Sequence, residues 1–135
     1  MKIRNRIGFL VHCIAAMLFS VLVAQAQNLA PSFTVDPINE IDVDMGVAYS
    51  STIADDASDP ESDPMTFTKV SGPSWLSVAA NGELSGTPGA SDVGDNAFAV
   101  QVSAAGGSDV AVLNITVFGP PGYIYQAEDA PLSGC

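Results

Sequence analysis

Basic side chains are scarce in this chain of 135 residues: Lys2, Arg4, Arg6 and Lys69 stand against 15 acids, for a net charge of −11 at pH 7. Nucleic acids and anionic membrane surfaces both need clustered Lys and Arg, so neither is an expected partner. Histidine is represented only by His12, and cysteine only by Cys13 and Cys135. Ser-His-Asp and Cys-His constellations and imidazole-held metals are therefore excluded beyond the first few residues. No helical hydrophobic period competes with the alternating patterns that follow residue 26. A phosphate cradle is missing too, since the spelling Gly86-Thr87-Pro88 has neither the long glycine-rich loop nor the Lys that such a cradle requires.

Lys2, Arg4 and Arg6 precede an apolar run from Ile7 to Ala24, and Ala24-Gln25-Ala26 spaces small residues as signal peptidase requires. Residues 1–26 read as a secretory signal peptide, cleaved after Ala26. An uncleaved membrane anchor is the rival reading, because the run is about as long as the shortest spanning helices; His12 and Ser20 within it weigh against that. Lipoprotein processing at Cys13 is disfavoured by His12 beside it. Cleavage would leave Lys69 as the single base against all 15 acids, a net charge of −14. It would also leave Cys135 as the one thiol, so no internal disulfide can form and an exported domain must rely on its apolar core. The expected location is secreted or cell-surface.

The segment 27–118 reads as one all-β domain. Phe33 and Val35 predict a first edge strand that Pro37 interrupts and Ile41 and Val43 resume, a place where a proline costs no needed ladder bond. Period-two alternation then recurs at Val47, Tyr49 and Ile53; at Met65 and Phe67; at Phe98, Val100 and Val102; and at Ala111, Leu113, Ile115 and Val117. About seven short strands separated by turn signals predict an antiparallel Ig-like sandwich of roughly 90 residues. The alternative of a disordered acidic segment fails on the apolar content, 47% of the chain. Trp75, Phe67, Phe98, Val100, Leu113 and Ile115 are the expected core.

The stretch Ser71–Pro88 organises the middle of this domain. Pro73 excludes a helix, Trp75 and Leu76 supply a large apolar load, and Asn81-Gly82 offers the positive φ angles of a tight hairpin. The order Pro73, Trp75, Leu76, Val78, Asn81, Gly82, Leu84, Gly86, Thr87, Pro88, then Asp92 and Gly94, resembles the dystroglycan-type cadherin-like domains, which are also grouped with Ig-like modules. The likeness runs from about Pro31 to Val117 and implies a cadherin-like sandwich.

Polar chemistry concentrates in Asp55-Asp56-Ala57-Ser58-Asp59-Pro60-Glu61-Ser62-Asp63-Pro64. Calcium takes six to eight hard oxygens in flexible geometry, and the resemblance implies a calcium-associated loop at Asp59, Glu61 and Asp63. Two departures limit that expectation. Ser62 stands where such a loop usually has Gly, and Ser103-Ala104-Ala105-Gly106-Gly107 lacks the Asp that relatives often carry, so binding would be weak. The plain alternative is a solvated turn whose Asp-Pro pairs set the bends. Asn114-Ile115-Thr116 matches a glycosylation acceptor, but lies inside a predicted strand.

After Val117 the composition breaks. Residues 119–122 form a Gly/Pro linker, and Tyr125-Gln126-Ala127-Glu128-Asp129-Ala130 with Leu132-Ser133-Gly134 resembles the opening strand of family 6 carbohydrate-binding modules. That resemblance covers residues 123–135 and implies a structural calcium near Gln126 and Glu128, and a chain cut shortly into a second domain. Sugar-stacking roles for Trp75, Tyr123 and Tyr125 are set aside: Trp75 is expected in the core, and the sugar-binding aromatics of such modules come from later loops. No enzymatic activity is expected, because paired carboxylates for glycoside hydrolysis would need a cleft that a short loop does not provide. The expected function is a non-catalytic spacer or interaction module of a larger polysaccharide-binding or polysaccharide-degrading protein. A calcium-dependent adhesion module at the cell surface is the alternative.

Overall fold

The computed structural model describes residues 26–121. The expected signal peptide up to residue 25, and Gln126, Glu128, Tyr123 and Tyr125 of the tail, lie outside the described residues. The described residues form ten strands and two 3-10 turns, the strands being β1 Ser32–Phe33, β2 Ile38–Asn39, β3 Val43–Asp44, β4 Tyr49–Thr52, β5 Ala57–Ser58, β6 Thr66–Ser71, β7 Leu76–Val78, β8 Glu83–Gly86, β9 Gly94–Ala104 and β10 Gly107–Phe118. There is no α-helix among the described residues.

The longest alternating runs in the sequence form the longest elements. β9 and β10 are an antiparallel hairpin paired from Gly107↔Ala104 to Val117↔Gly94, with Phe98 opposite Leu113 and Val100 opposite Ala111 on the inner face. Strand order in this larger sheet is β2-β10-β9-β6, with β3 also on β10, and a three-stranded sheet β4-β8-β7 packs over it. Phe67, Phe98, Val100, Val102, Ala111, Leu113, Ile115 and Val117 from one layer and Tyr49, Leu76 and Leu84 from the other join in one core. Each of the Val, Leu, Ile and Phe side chains among them contributes about 1.5–3 kcal/mol on burial.

The antiparallel expectation holds for every pairing, β1 with β5 included, except those of β2 and β3. β2 and β3 run parallel to β10, with Ile38 beside Leu113 and Val43 beside Val117. Pro37 causes the break between β1 and β2, and the ladder is mended by a side chain: Asp36 Oδ1 accepts the Val112 N–H at 3.0 Å. Val35 and Ile41, expected in the first strand, fall in these breaks and are exposed.

The middle stretch differs in two details. The β7–β8 hairpin is present, but only Gly82 takes a positive φ, +90°. Asn81 works through its side chain instead, with Oδ1 accepting the Glu83 N–H at 3.2 Å. Trp75 is half-buried against the core rather than inside it. Its indole lies edge-on to Tyr49 and Phe98, at centroid distances of 5.8 and 5.7 Å. Nε1 donates to Asn96 Oδ1 at 3.1 Å, and the buried Asn96 donates in turn to the carbonyls of Asp92 and Gly94.

Candidate functional site: the acidic loop at the leading end

The loop Asp59–Asp63 folds around the first of its acids. Asp59 Oδ1 accepts the main-chain N–H groups of Glu61 and Asp63, at 3.0 and 2.9 Å, and the Asp59 carbonyl accepts from Ser62 N–H. Ser62 adopts φ +63°, the left-handed conformation for which such a loop ordinarily uses glycine. With Asp59 turned inward, the carboxylates of Glu61 and Asp63 are left to face the chain that leads into the sandwich. Asn28 Nδ2 donates to Asp63 Oδ2 at 2.7 Å, and Leu29 N–H donates to Glu61 Oε2 at 3.2 Å.

These three carboxylates therefore share a loop without converging on a point. Among the described residues no group of three or more acidic, histidine or cysteine side chains is gathered as a metal ion requires. Asp59 Oδ2 is, among the described residues, the one buried side-chain oxygen without a hydrogen-bond partner. Calcium takes six to eight oxygens, and at this loop Asp59 Oδ1, Glu61 Oε2 and Asp63 Oδ2 already accept N–H donors. Gln126 and Glu128 lie outside the described residues. Nothing in the residue types of Asn28 and Leu29 marks them as partners of acids more than 30 positions away.

A second polar group sits between the layers' edges. Glu40 Oε2 accepts from Ser51 Oγ and, at 3.5 Å, from the Tyr49 hydroxyl. Burial, and then the nearby Glu40 charge, push the Tyr49 hydroxyl up to about 12. Burial, with Glu40 and Asp55 nearby, raises the Asp56 carboxyl above the usual range as well. Lys69, the only base among residues 26–121, is committed to main chain: Nζ donates to the carbonyls of Pro73 at 2.9 Å and Leu76 at 2.7 Å.

Shallow depressions mark the surface of the described residues. One of about 300 Å³ is lined by Asn39, Asp95, Asn114, Ile115 and Thr116. Another of about 500 Å³ lies on the outer face of β4-β8-β7, among Ser50, Thr52, Glu83 and Ser85. A third of about 380 Å³ lies at the trailing end, beside Asp44, Met45, Val47 and Pro120. Each carries one carboxylate and no aromatic side chain, so none offers the acid pair of a glycosidase or a stacking platform for a sugar ring.

Residues 30–118 match the family described as "Putative Ig domain". Among solved structures, a variant of the endo-fucoidan hydrolase MfFcnA4 from glycoside hydrolase family 107 is 36% identical, over 70% of this chain and 14% of its own, with a TM-score of 0.64. The endo-fucoidan hydrolase MfFcnA9 of the same family is 34% identical, over 64% of this chain and 15% of its own, at a TM-score of 0.58. Human protocadherin-24 EC1-2 shares the fold at 20% identity and a TM-score of 0.50, over 67% of this chain and 44% of that one. No curated protein sequence matches the chain. The chain thus spans about one seventh of the length of the fucoidan hydrolases it resembles.

Proposed function

The chain belongs to the putative Ig domain family, and from that membership we propose that its sandwich is a non-catalytic spacer module of a larger secreted protein that acts on or binds polysaccharide. The observation that carries the reading is the direction of the chain. It comes in beside Gly106 and Gly107 at one end of β10 and leaves through Gly119–Pro121 at the other. A strand of 12 residues separates the two ends by about 40 Å. A module threaded end to end holds its neighbours apart. The likeness to short segments of two polysaccharide hydrolases supports the setting, and the apolar run ahead of Ala24-Gln25-Ala26 supports export.

Direct polysaccharide binding by residues 26–121 is not part of this reading. They hold 13 acids against Lys69, whose ammonium is already committed, so an anionic glycan would be repelled. Contact with polysaccharide is assigned instead to the stretch after residue 122, read as the start of a carbohydrate-binding module, with a calcium near Gln126 and Glu128. Calcium at Asp59, Glu61 and Asp63 is a separate and weaker proposal, since a cation there must displace the Asn28 and Leu29 donors. The test of the main reading is an assay of the intact chain for reducing-end release and for retention on immobilised neutral and anionic polysaccharides. No release is expected, and any retention should disappear when the chain is shortened to end at Pro121. Turnover of a polysaccharide, or retention that survives that truncation, would overturn the spacer assignment.

A further inference from the structure

We propose that the Asp59–Asp63 loop is a metal-independent clamp on residues 28–31, setting the direction of the chain before it joins the first strand. The segment is gripped from two sides. On one side stand the Glu61 and Asp63 acceptors, held in place because Asp59 ties the loop to itself. On the other is the tip of the β9–β10 hairpin, where the chain passes so close that a Cβ on Gly106 would collide with the Leu29 carbonyl oxygen and one on Gly107 would meet Ala30 at 3.0 Å. Pro31 is fully buried immediately beyond, and Phe33 N–H is fixed by Asp109 Oδ2 at 2.9 Å.

The chemistry favours N–H donors over a cation at this place. Carboxylates on a chain with almost no bases need partial positive charge nearby, and main-chain and amide N–H groups provide it at fixed positions and without a counter-ion. Hydrogen bonds to charged acceptors are also the stronger class. Gly106 needs to be bare, because a side chain there would occupy the track of Leu29. The clamp is independent of the polysaccharide reading and stands or falls by its own measurements.

The test is amide hydrogen exchange on the intact chain, with protease cleavage within 26–30 as a second readout, in millimolar calcium and in chelator. The Leu29 amide is expected to exchange about tenfold slower than in an unstructured peptide, which corresponds to one such hydrogen bond, and equally so with and without calcium. Glu61→Ala should abolish that protection. Gly106→Ala should expel the segment and speed cleavage although no carboxylate has changed, while the control Asp42→Ala should do neither. The protected amides of β9 and β10 report whether each variant is folded; if Gly106→Ala is not, Glu61→Ala and Asp63→Ala decide. Unprotected Leu29 in the parent chain, protection lost on chelation, or a folded Gly106→Ala with unchanged cleavage would each overturn the clamp.

Discussion

Replacing Trp75 separates what the indole ring contributes from what its N–H contributes. Truncation of a large buried aromatic to Ala costs about 3–5 kcal/mol, and the half-buried position of Trp75 lowers the transfer part of that figure. Two terms raise it again. The edge-on contacts with Tyr49 and Phe98 add about 0.5–1.5 kcal/mol each. Loss of the indole donor leaves Asn96 Oδ1 without its partner in a residue only 6% exposed, at about 1–3 kcal/mol. Trp75→Ala is expected to cost about 3–4 kcal/mol, and Trp75→Phe, which keeps a ring between Tyr49 and Phe98, about 1–2 kcal/mol. Urea unfolding followed by circular dichroism gives both values, because the probe does not depend on the tryptophan being replaced. In Asn96→Ala the effect of Trp75→Phe should shrink by about 1 kcal/mol, the coupling expected of their shared hydrogen bond. A cost under about 1 kcal/mol for Trp75→Ala, or equal costs for the Ala and Phe variants, would refute this account.

Three further outcomes are expected. Ser62→Gly should stabilise the fold by up to about 1 kcal/mol, because φ +63° is strained for Ser and free for Gly; a loss in thermal or urea unfolding would contradict it. Stability should fall as pH rises from 10 to 12, since the unfolded Tyr loses its proton near 10 while the folded Tyr49 keeps it to about 12; Tyr49→Phe should flatten that decline in urea titrations across the window. Calcium at a Kd of about 10⁻⁴ to 10⁻³ M would raise stability by about 0.4–1.4 kcal/mol at 1 mM through mass action. Because the loop's carboxylates already hold donors, thermal melting should show magnesium and raised salt matching calcium; a calcium-selective gain that Asp63→Asn removes would restore a metal site.

The core was legible in the sequence wherever period two ran long enough to stand alone. Phe98, Val100 and Val102 in β9, and Leu113, Ile115 and Val117 in β10, announce their inner face by alternation and are buried there. The parallel placement of β2 and β3 was not legible, because two-residue strands carry no period and their partner lies about 75 positions away. Asn81-Gly82 pointed correctly to a hairpin but not to its turn, since the Asn side chain could satisfy Glu83 N–H without a positive φ. At the acidic loop, residue types showed where the oxygens are. They could not show that main-chain N–H groups would reach them first, because every residue except proline carries that donor.

The parallel pairing at the start of the domain decides how the module meets a pull on its two ends. Tension drawn out through Asn28 acts towards the Gly107 end of β10, and tension through Pro121 acts towards the Phe118 end. The bonds that join Ile38 and Asn39 to Leu113 and Asn114, and Val43 and Asp44 to Val117 and Phe118, then lie across the line of force and must slide together. They are loaded in shear, as a group, and cannot open one after another like a zipper. A tether made this way yields late and all at once.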